Sequence, residues 1–225
     1  MLADRLRLLI LYFPAFLFAL ACHEAAHGLV AFRLGDSTAK DSGRLTLNPF
    51  PHMDLLGTVL LPLVTWFAPG ALPIGGWGKP VPVDETRLKN PRRDGLWIAL
   101  AGPASNLALA LAFAVLFRCL LWLLPAMSEM PWAEHALFLS AAETTLRLVE
   151  ISVWINLGLA VFNLIPVHPL DGGKVLAGLL PLRWAISYDR FARYGMFAII
   201  LLFYVGGFRY LQVPVQRMAE FLIPS

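Results

Sequence analysis

Charged residues are scarce in this chain of 225 residues. Asp, Glu, Lys and Arg make up 15% of it, whereas soluble globular domains carry about 25%. Hydrophobic residues make up 58%, and the mean hydropathy is +0.67. This composition excludes a disordered chain, an ordinary cytosolic enzyme and a nucleic-acid module, so we expect no nucleic-acid partner. It indicates a polytopic membrane protein.

Cysteine is also rare. Cys22 and Cys119 both lie in apolar runs, so no disulfide framework is implied. The chain has no internal repeat, no low-complexity tail and no appended soluble domain. We therefore expect residues 1–225 to form a single membrane-embedded domain.

Long apolar runs are abundant. A helix needs about 20 apolar residues to cross ~30 Å of hydrocarbon. The candidate spans are Leu8–Phe32, Leu96–Phe117, Leu148–Ile165 and Gly195–Phe208. The last of these reaches only about 21 Å, although its flanking arginines can snorkel to extend it. The sequence thus predicts an all-α polytopic membrane protein.

A fifth apolar stretch, Leu55–Leu72, is interrupted by two prolines and a glycine. It can be a short span, a re-entrant segment or buried core. Short β-strands are predicted around it, at Arg44–Leu47 and Trp77–Val83. Pro80 and Pro82 confine the second strand to a sheet edge, because proline cannot donate to a β-ladder.

The first apolar run contains an H-E-x-x-H sequence, His23 to His27. On a helix, residues four apart share a face, so both imidazoles can bind one zinc ion beside Glu24. An ionisable residue at membrane depth costs on the order of 2.5–3.5 kcal/mol even on lenient scales, and such residues normally mark function. The alternatives are a buried polar knot between helices or a proton relay.

A catalytic zinc site usually takes three protein ligands. Candidates for the third are Asp171, His168, Asp54 and His52. Asp171 follows the third run in a segment where two prolines end the helix and two glycines allow a tight turn. That turn can fold the carboxylate back toward the membrane. Asp-Gly is also a common turn signal, so the residues alone leave its role open.

Three asparagines lie in the second and third runs. Asn106 follows Gly102-Pro103 by about one turn, and a buried amide needs hydrogen-bonding partners. Asn156 and Asn163 are seven residues apart and share a helix face. We interpret Asn163 as a substrate-binding residue and Asn156 as a contact between helices.

Three motifs occur in order on these hydrophobic runs. They are H-E-x-x-H in the first, G-P-x-x-N at Gly102–Asn106, and N-x-x-P-x-x-x-L-D-G at Asn163–Gly172. Together they resemble the site-2 protease family of intramembrane zinc metalloproteases, and the resemblance extends from about Leu8 to Lys174. Larger members carry PDZ or CBS domains, which this chain lacks, so it resembles a short form.

The resemblance implies a core of three transmembrane helices that binds one Zn²⁺ per chain. It implies that His23, His27 and Asp171 are the zinc ligands and that Glu24 is the catalytic base. Asn163 corresponds to the family asparagine that holds substrate or the developing oxyanion, and we assign Asn106 to the same group.

The segment Asn48–Asp54 falls outside these motifs. His52 and Asp54 can form a gate, a second polar shell or an alternative ligand pair. A polar loop that caps the following helix is the simpler interpretation.

The metal ligands must meet at one depth. The first and third runs must therefore end at the same membrane face. Basic residues flank that face, which the positive-inside rule makes cytoplasmic. They are Lys79, Arg87, Lys89, Arg92, Arg93, Lys174, Arg183, Arg190 and Arg193. If Arg33 and Arg93 are both cytoplasmic, Leu55–Leu72 must be re-entrant or lie on the membrane surface. Arg5 and Arg7 argue weakly for the opposite orientation.

These expectations define a function. The chain is predicted to sit in the plasma or inner membrane and to hydrolyse a peptide bond in or near the transmembrane helix of a single-span protein. Its partners are then that substrate and the lipid bilayer; the oligomeric state is not readable. A transporter or ion-handling protein would predict inverted repeats, which the sequence lacks. An inactive relative that only binds membrane helices is the third possibility.

Overall fold

A computed structural model describes residues 2–67, 76–128 and 136–223. Within these ranges the fold consists of helices and irregular loops. The α-helices there are α1 (Leu2–Arg33), α2 (Thr38–Asp41), α3 (Leu61–Phe67), α4 (Pro91–Ser128), α5 (Ala136–Asn163), α6 (Asp171–Leu179), α7 (Leu182–Phe191), α8 (Gly195–Tyr204) and α9 (Phe208–Leu222). A π-helical segment, Leu55–Leu60, leads into α3, and 3₁₀ turns occupy Phe50–His52, Glu85–Arg87 and Ala192–Tyr194.

Among the described residues, three helices are long and apolar enough to cross a membrane: α1, α4 and α5. They correspond to the first three predicted runs. The helices from Leu182 to Leu222 contain a bent pair that passes the same test, which brings the number of spans to four if the pair is counted as one. The prediction of an all-helical fold with three long apolar helices is therefore confirmed for the described residues.

The core is built where α1, α4 and α5 pack against one another. His27 of α1 contacts the Ile98 carbonyl of α4, whereas the Ala19 carbonyl contacts Asn106. The numbering falls along α4 as it rises along α1, so these two helices are antiparallel. Ala19 is fully buried, and small side chains at such positions allow close helix approach.

Helix α5 is antiparallel to α4 and hence parallel to α1. Asn106 contacts Asn156, and beyond this pair the two helices bury a shared apolar cluster with α9. Its buried members include Ala110, Ala114, Phe117, Val149, Val153 and Leu157. This arrangement brings the end of α1, the start of α4 and the end of α5 to one end of the molecule.

The fifth apolar stretch lies alongside α1. The Trp66 indole N–H donates to the Arg5 carbonyl at 3.0 Å, near the start of α1. The Thr58 hydroxyl donates to the Trp77 carbonyl at 2.8 Å, so the chain has returned to its starting level by residue 77. The re-entrant course of Leu55–Leu72 stays a prediction. Residues 68–72 of the predicted stretch lie outside the described ranges.

The predicted β-strands are wrong: no strand occurs in the described ranges, which include Arg44–Leu47 and Trp77–Val83. The second segment uses its backbone donors elsewhere, because Lys79 N–H donates to a loop carbonyl and Val81 N–H donates to a carboxylate. The prolines on either side of Val81 have no N–H at all. A ladder cannot form when its donors are absent or already used.

Candidate metal centre

The H-E-x-x-H residues lie on the α1 face that meets α4. His23, Glu24 and His27 are all buried, with exposed fractions of 4%, 8% and 9%. One helical turn separates the two histidines, and their ring centroids are 4.7 Å apart. The motif therefore places two imidazoles and one carboxyl group inside the three-helix core.

Asp171 brings a carboxylate to the same point from 148 residues further along the chain. Its Oδ2 lies 3.0 Å from His23 Nε2 and 3.3 Å from His27 Nε2. One possible ligand atom from each of the three residues lies within 4.8 Å of the other two. Three converging donors of this kind match the ligand number of a catalytic zinc site.

The loop before α6 directs Asp171 inward. Asp171 is the first residue of α6, and Gly172 and Gly173 follow it. A β-carbon at Gly172 would overlap the backbone of Leu164 and Ile165, and one at Gly173 would press on His168. The two glycines therefore allow the loop to fold back tightly, in the way the sequence predicts. The Arg92 guanidinium donates to a carbonyl of α6 at 3.3 Å and ties α6 to the start of α4.

The remote ring nitrogens of both histidines have partners. His27 Nδ1 lies 2.6 Å from the Ile98 carbonyl oxygen, and His23 Nδ1 lies 2.5 Å from Asn106 Oδ1. Partners of this kind fix the orientation of metal-binding imidazoles. Each ring consequently directs Nε2 toward Asp171.

Gly102 makes room beside these nitrogens. A β-carbon at this position of α4 would overlap Nε2 of both His23 and His27. The absent side chain leaves space at the point where the donor atoms converge. The residues present thus fit a zinc ion in donor type, number and surroundings.

The environment keeps the third donor ionised. Burial alone would raise the pKa of Asp171, but the hydrogen bonds and charges of His23 and His27 outweigh it and hold the pKa well below its usual range. A carboxylate must be deprotonated to bind a metal.

Glu24 is held beside the cluster by the loop that precedes α4. One of its carboxylate oxygens accepts a hydrogen bond from the Val81 backbone N–H at 3.0 Å. Val81 is itself buried and packs near Gly28 of α1. The carboxyl group is therefore fixed by a main-chain donor.

Comparison with known proteins identifies the family to which the chain belongs. The model of peptidase family M50 matches residues 11–206. The chain belongs to peptidase family M50. With its apolar helices, this membership makes it a multi-pass membrane zinc metalloprotease, and it confirms the resemblance to site-2 proteases.

Curated relatives carry consistent names. "Putative zinc metalloprotease YwhC" of Bacillus subtilis (strain 168) is 39% identical over 80% of this chain and 74% of its own length. "Putative zinc metalloprotease Rip2" of Mycolicibacterium smegmatis is 29% identical over 72% of this chain and 54% of its own length. "Putative zinc metalloprotease Rip3" of Mycobacterium tuberculosis is 27% identical over 72% of this chain and 29% of its own length. The chain thus spans about half of Rip2 and under a third of Rip3. No solved structure matches the chain significantly.

Two other candidate ligands of this M50 peptidase have different contacts. His168 Nε2 lies 3.4 Å from an Asp189 carboxylate oxygen on α7. The Asp54 carboxylate accepts hydrogen bonds from Leu56 N–H and Gly57 N–H. Asp54 is therefore a helix cap, which agrees with the interpretation of this segment as a polar loop that caps the following helix.

His52 is fully buried beneath the loop that carries Val81. Its Nε2 lies 2.9 Å from the Thr46 carbonyl oxygen, and its own carbonyl accepts from Lys79 N–H at 2.8 Å. His52 thus supports the loop and does not join the Asp171 cluster.

The two asparagines assigned to substrate have unequal surroundings. Asn163 is half-buried at the end of α5, and its amide donates to the Leu159 carbonyl one turn earlier. Asn106 is fully buried, and its amide nitrogen donates to the Ala19 carbonyl and to Asn156. The polar groups of Asn106 are thus used inside the helix core, which favours a supporting role there over contact with substrate.

Sequence reasoning missed three groups of the site: the methyl-free surface of Gly102, the Ile98 carbonyl and the Val81 amide. Two of these are main-chain groups, which carry no signature in a sequence. The Gly-Pro pair in the second span is a visible signal, but it suggests a loosened helix and not a contact with imidazoles.

Proposed function

We propose that this M50 peptidase cleaves a peptide bond in or near the transmembrane helix of a single-span membrane protein. The observation that carries the proposal is the cluster of His23, His27 and Asp171 with Glu24 beside it, buried among helices long enough to span a bilayer. A hydrolytic site in that position is suited to substrates that are themselves in the membrane.

In this proposal His23, His27 and Asp171 hold the zinc ion. Bound zinc supplies Lewis-acid chemistry, which acidifies water and polarises a peptide carbonyl. Glu24 accepts the proton of the attacking water and delivers it to the leaving amine. The Val81 amide keeps the Glu24 carboxylate in one orientation while the proton moves.

Substrate contact is assigned to Asn163. This residue lies at the end of α5, eight residues before Asp171. The loop between them folds back so that Gly172 lies against the backbone of Leu164 and Ile165. The Asn163 side chain is half-buried, so it can donate to a substrate carbonyl or to the oxyanion that forms there.

The site is proposed to face the cytoplasmic side of the plasma or inner membrane. The segments that enter α4 and follow α5 lie at the end of the molecule that carries Asp171, and their basic side chains are exposed there. These are Lys79, Arg87, Lys89, Arg92, Arg93, Lys174, Arg183, Arg190 and Arg193. Such enrichment on short loops is typical of cytoplasmic faces.

Glu24→Gln tests the activity. The purified protein is reconstituted with a single-span fusion substrate, and cleavage and bound zinc are measured together. We expect cleavage to fall by about 10²–10⁴-fold, the usual contribution of a general base, while zinc remains stoichiometric. Wild-type protein that holds zinc but cleaves no single-span substrate, or a Glu24→Gln variant that cleaves normally, would contradict the proposal.

A further inference from the structure

Two fully buried asparagines connect His23 to the third membrane-spanning helix. Asn106 projects from α4 and Asn156 from α5, and neither side chain is exposed. The Asn106 amide nitrogen lies 2.9 Å from Asn156 Oδ1, and the Asn106 oxygen lies 2.5 Å from His23 Nδ1. Buried amides are costly unless their donors and acceptors are paired.

The direction of each hydrogen bond follows from two backbone carbonyls, which can only accept. Asn156 must present its NH₂ group to the Ser152 carbonyl, 2.8 Å away, so its oxygen faces Asn106. Asn106 must then present its NH₂ group to that oxygen and to the Ala19 carbonyl at 3.2 Å. Its own oxygen therefore faces His23.

This chain of bonds decides the form of the His23 imidazole. An amide oxygen can only accept, so the proton of the neutral ring must reside on Nδ1. Nε2 then carries a lone pair and points toward Asp171, 3.0 Å away. His27 reaches the same form through a main-chain acceptor, the Ile98 carbonyl. Of the two histidines, His23 is the one whose form depends on side chains from other helices.

We propose that Asn106, backed by Asn156, is a positioning residue that holds His23 in its metal-binding tautomer and orientation. The inference rests on the proposed role of His23 as a zinc ligand. It differs from a role in packing alone, which would affect stability but not the quality of the metal site.

Zinc affinity tests the proposal without reference to cleavage. The metal-free full-length protein is titrated with zinc against a chromophoric chelator. Asn106→Leu removes the acceptor at nearly constant volume, and we expect zinc to bind about 10–100-fold more weakly, as for other partners of metal-binding histidines. Asn156→Leu should give a smaller loss, because it acts through Asn106.

Co²⁺ substitution supplies a second readout. The visible absorption of bound Co²⁺ reports the ligand geometry, and we expect it to change in Asn106→Leu and to change less in Asn156→Leu. Ser105→Ala is the matched control, since the Ser105 hydroxyl donates only within α4, to the Gly102 carbonyl at 2.7 Å. Thermal unfolding of each metal-free variant separates loss of fold from loss of positioning.

The outcomes are distinct. If Asn106→Leu binds zinc as tightly as wild type with an unchanged Co²⁺ spectrum, the positioning role is refuted while the proposed protease stands. If Asn106→Leu does not fold, Asn156→Leu decides by the same two measurements, and wild-type values in that variant refute the role. If wild-type protein binds no zinc, the proposed function fails and the positioning role fails with it.

Discussion

At the scale of single residues, the site depends on the absence of a side chain at position 102 of α4. Gly102 lies against the metal-facing nitrogens of His23 and His27, and no other residue type leaves that space open. Helical glycine costs about 0.5–1 kcal/mol relative to alanine, so α4 gives up stability at this point to let two imidazoles approach.

Gly102→Ala should therefore disable the site although alanine is the better helix former. Its methyl group would displace both Nε2 atoms, and we expect zinc affinity and cleavage to fall by at least about tenfold, the scale seen when metal-ligand support is lost. Gly95→Ala is the matched control in the same helix, because a methyl group there meets nothing within 4 Å. Equal zinc affinity in the two variants, measured by chelator competition, would show that the contact is unimportant.

The residues of the H-E-x-x-H motif could be predicted from sequence because helical periodicity alone puts His23 and His27 on one face. Asp171 could be assigned only through the resemblance of three motifs, since nothing local fixes where a carboxylate after a helix will point. Sequence reasoning alone cannot assign a role to Asn106 for a similar reason. A polar side chain in a membrane helix indicates that it has a hydrogen-bonding partner. It does not indicate whether that partner is substrate, another helix or a metal ligand.

At the scale of elements, the loops that join the helices position the side chains of the candidate site. Asp36 follows α1 and is fully buried. Its carboxylate accepts from the Thr38 hydroxyl, from Thr38 N–H and from Asp84 N–H. It thus fastens the end of α1 to the loop that carries Val81.

The hydrogen bonds of the Asp36 carboxylate predict that the stability of the fold depends on pH. Burial by itself raises the pKa of Asp36, but the hydrogen bonds from Thr38 and Asp84 outweigh it, so the pKa is lowered in the folded protein. A lowered pKa stabilises the fold above the unfolded value of about 3.9, and this stability is lost as pH falls through the folded pKa. Asp36→Asn should lower the melting temperature at pH 6 and flatten its dependence on pH between about 6 and 3, measured in detergent. An unchanged slope would contradict the assignment.

Helix positions were the most predictable elements, because runs of apolar residues decide them. The strand predicted at Trp77–Val83 does not form because two of its backbone N–H groups donate to other partners and its two prolines have none. Alternation and β-propensity describe a segment that pairs with another strand, whereas Trp77–Val83 is tied to Thr58, His52 and Glu24. Such contacts come from residues far away in sequence and leave no local pattern.

At the scale of the whole molecule, the metal centre joins parts of the chain that are 148 residues apart. His23 and His27 belong to α1, and Asp171 begins α6 beyond the third span. A ligand that binds only the folded state stabilises it by mass action, so zinc should act as a clamp between these parts.

Metal removal tests this. With free zinc at about 100 times its dissociation constant, binding contributes about 2.7 kcal/mol to the free energy of unfolding. We expect a chelator to lower the melting temperature of the wild-type protein and added zinc to restore it. Asp171→Ala should melt at the same temperature with and without zinc. A zinc-dependent shift of wild-type size in that variant would exclude Asp171 from the centre.

The hydrogen bond from the Val81 main chain to Glu24 has a consequence for natural variation. Any amino acid except proline offers the same N–H. The hydrogen bond to Glu24 therefore excludes proline at position 81 and does not depend on which other side chain is present there. Pro80 and Pro82 stand on either side of it. A change to proline here would remove the main-chain donor to the proposed acid–base group without altering one atom of the glutamate.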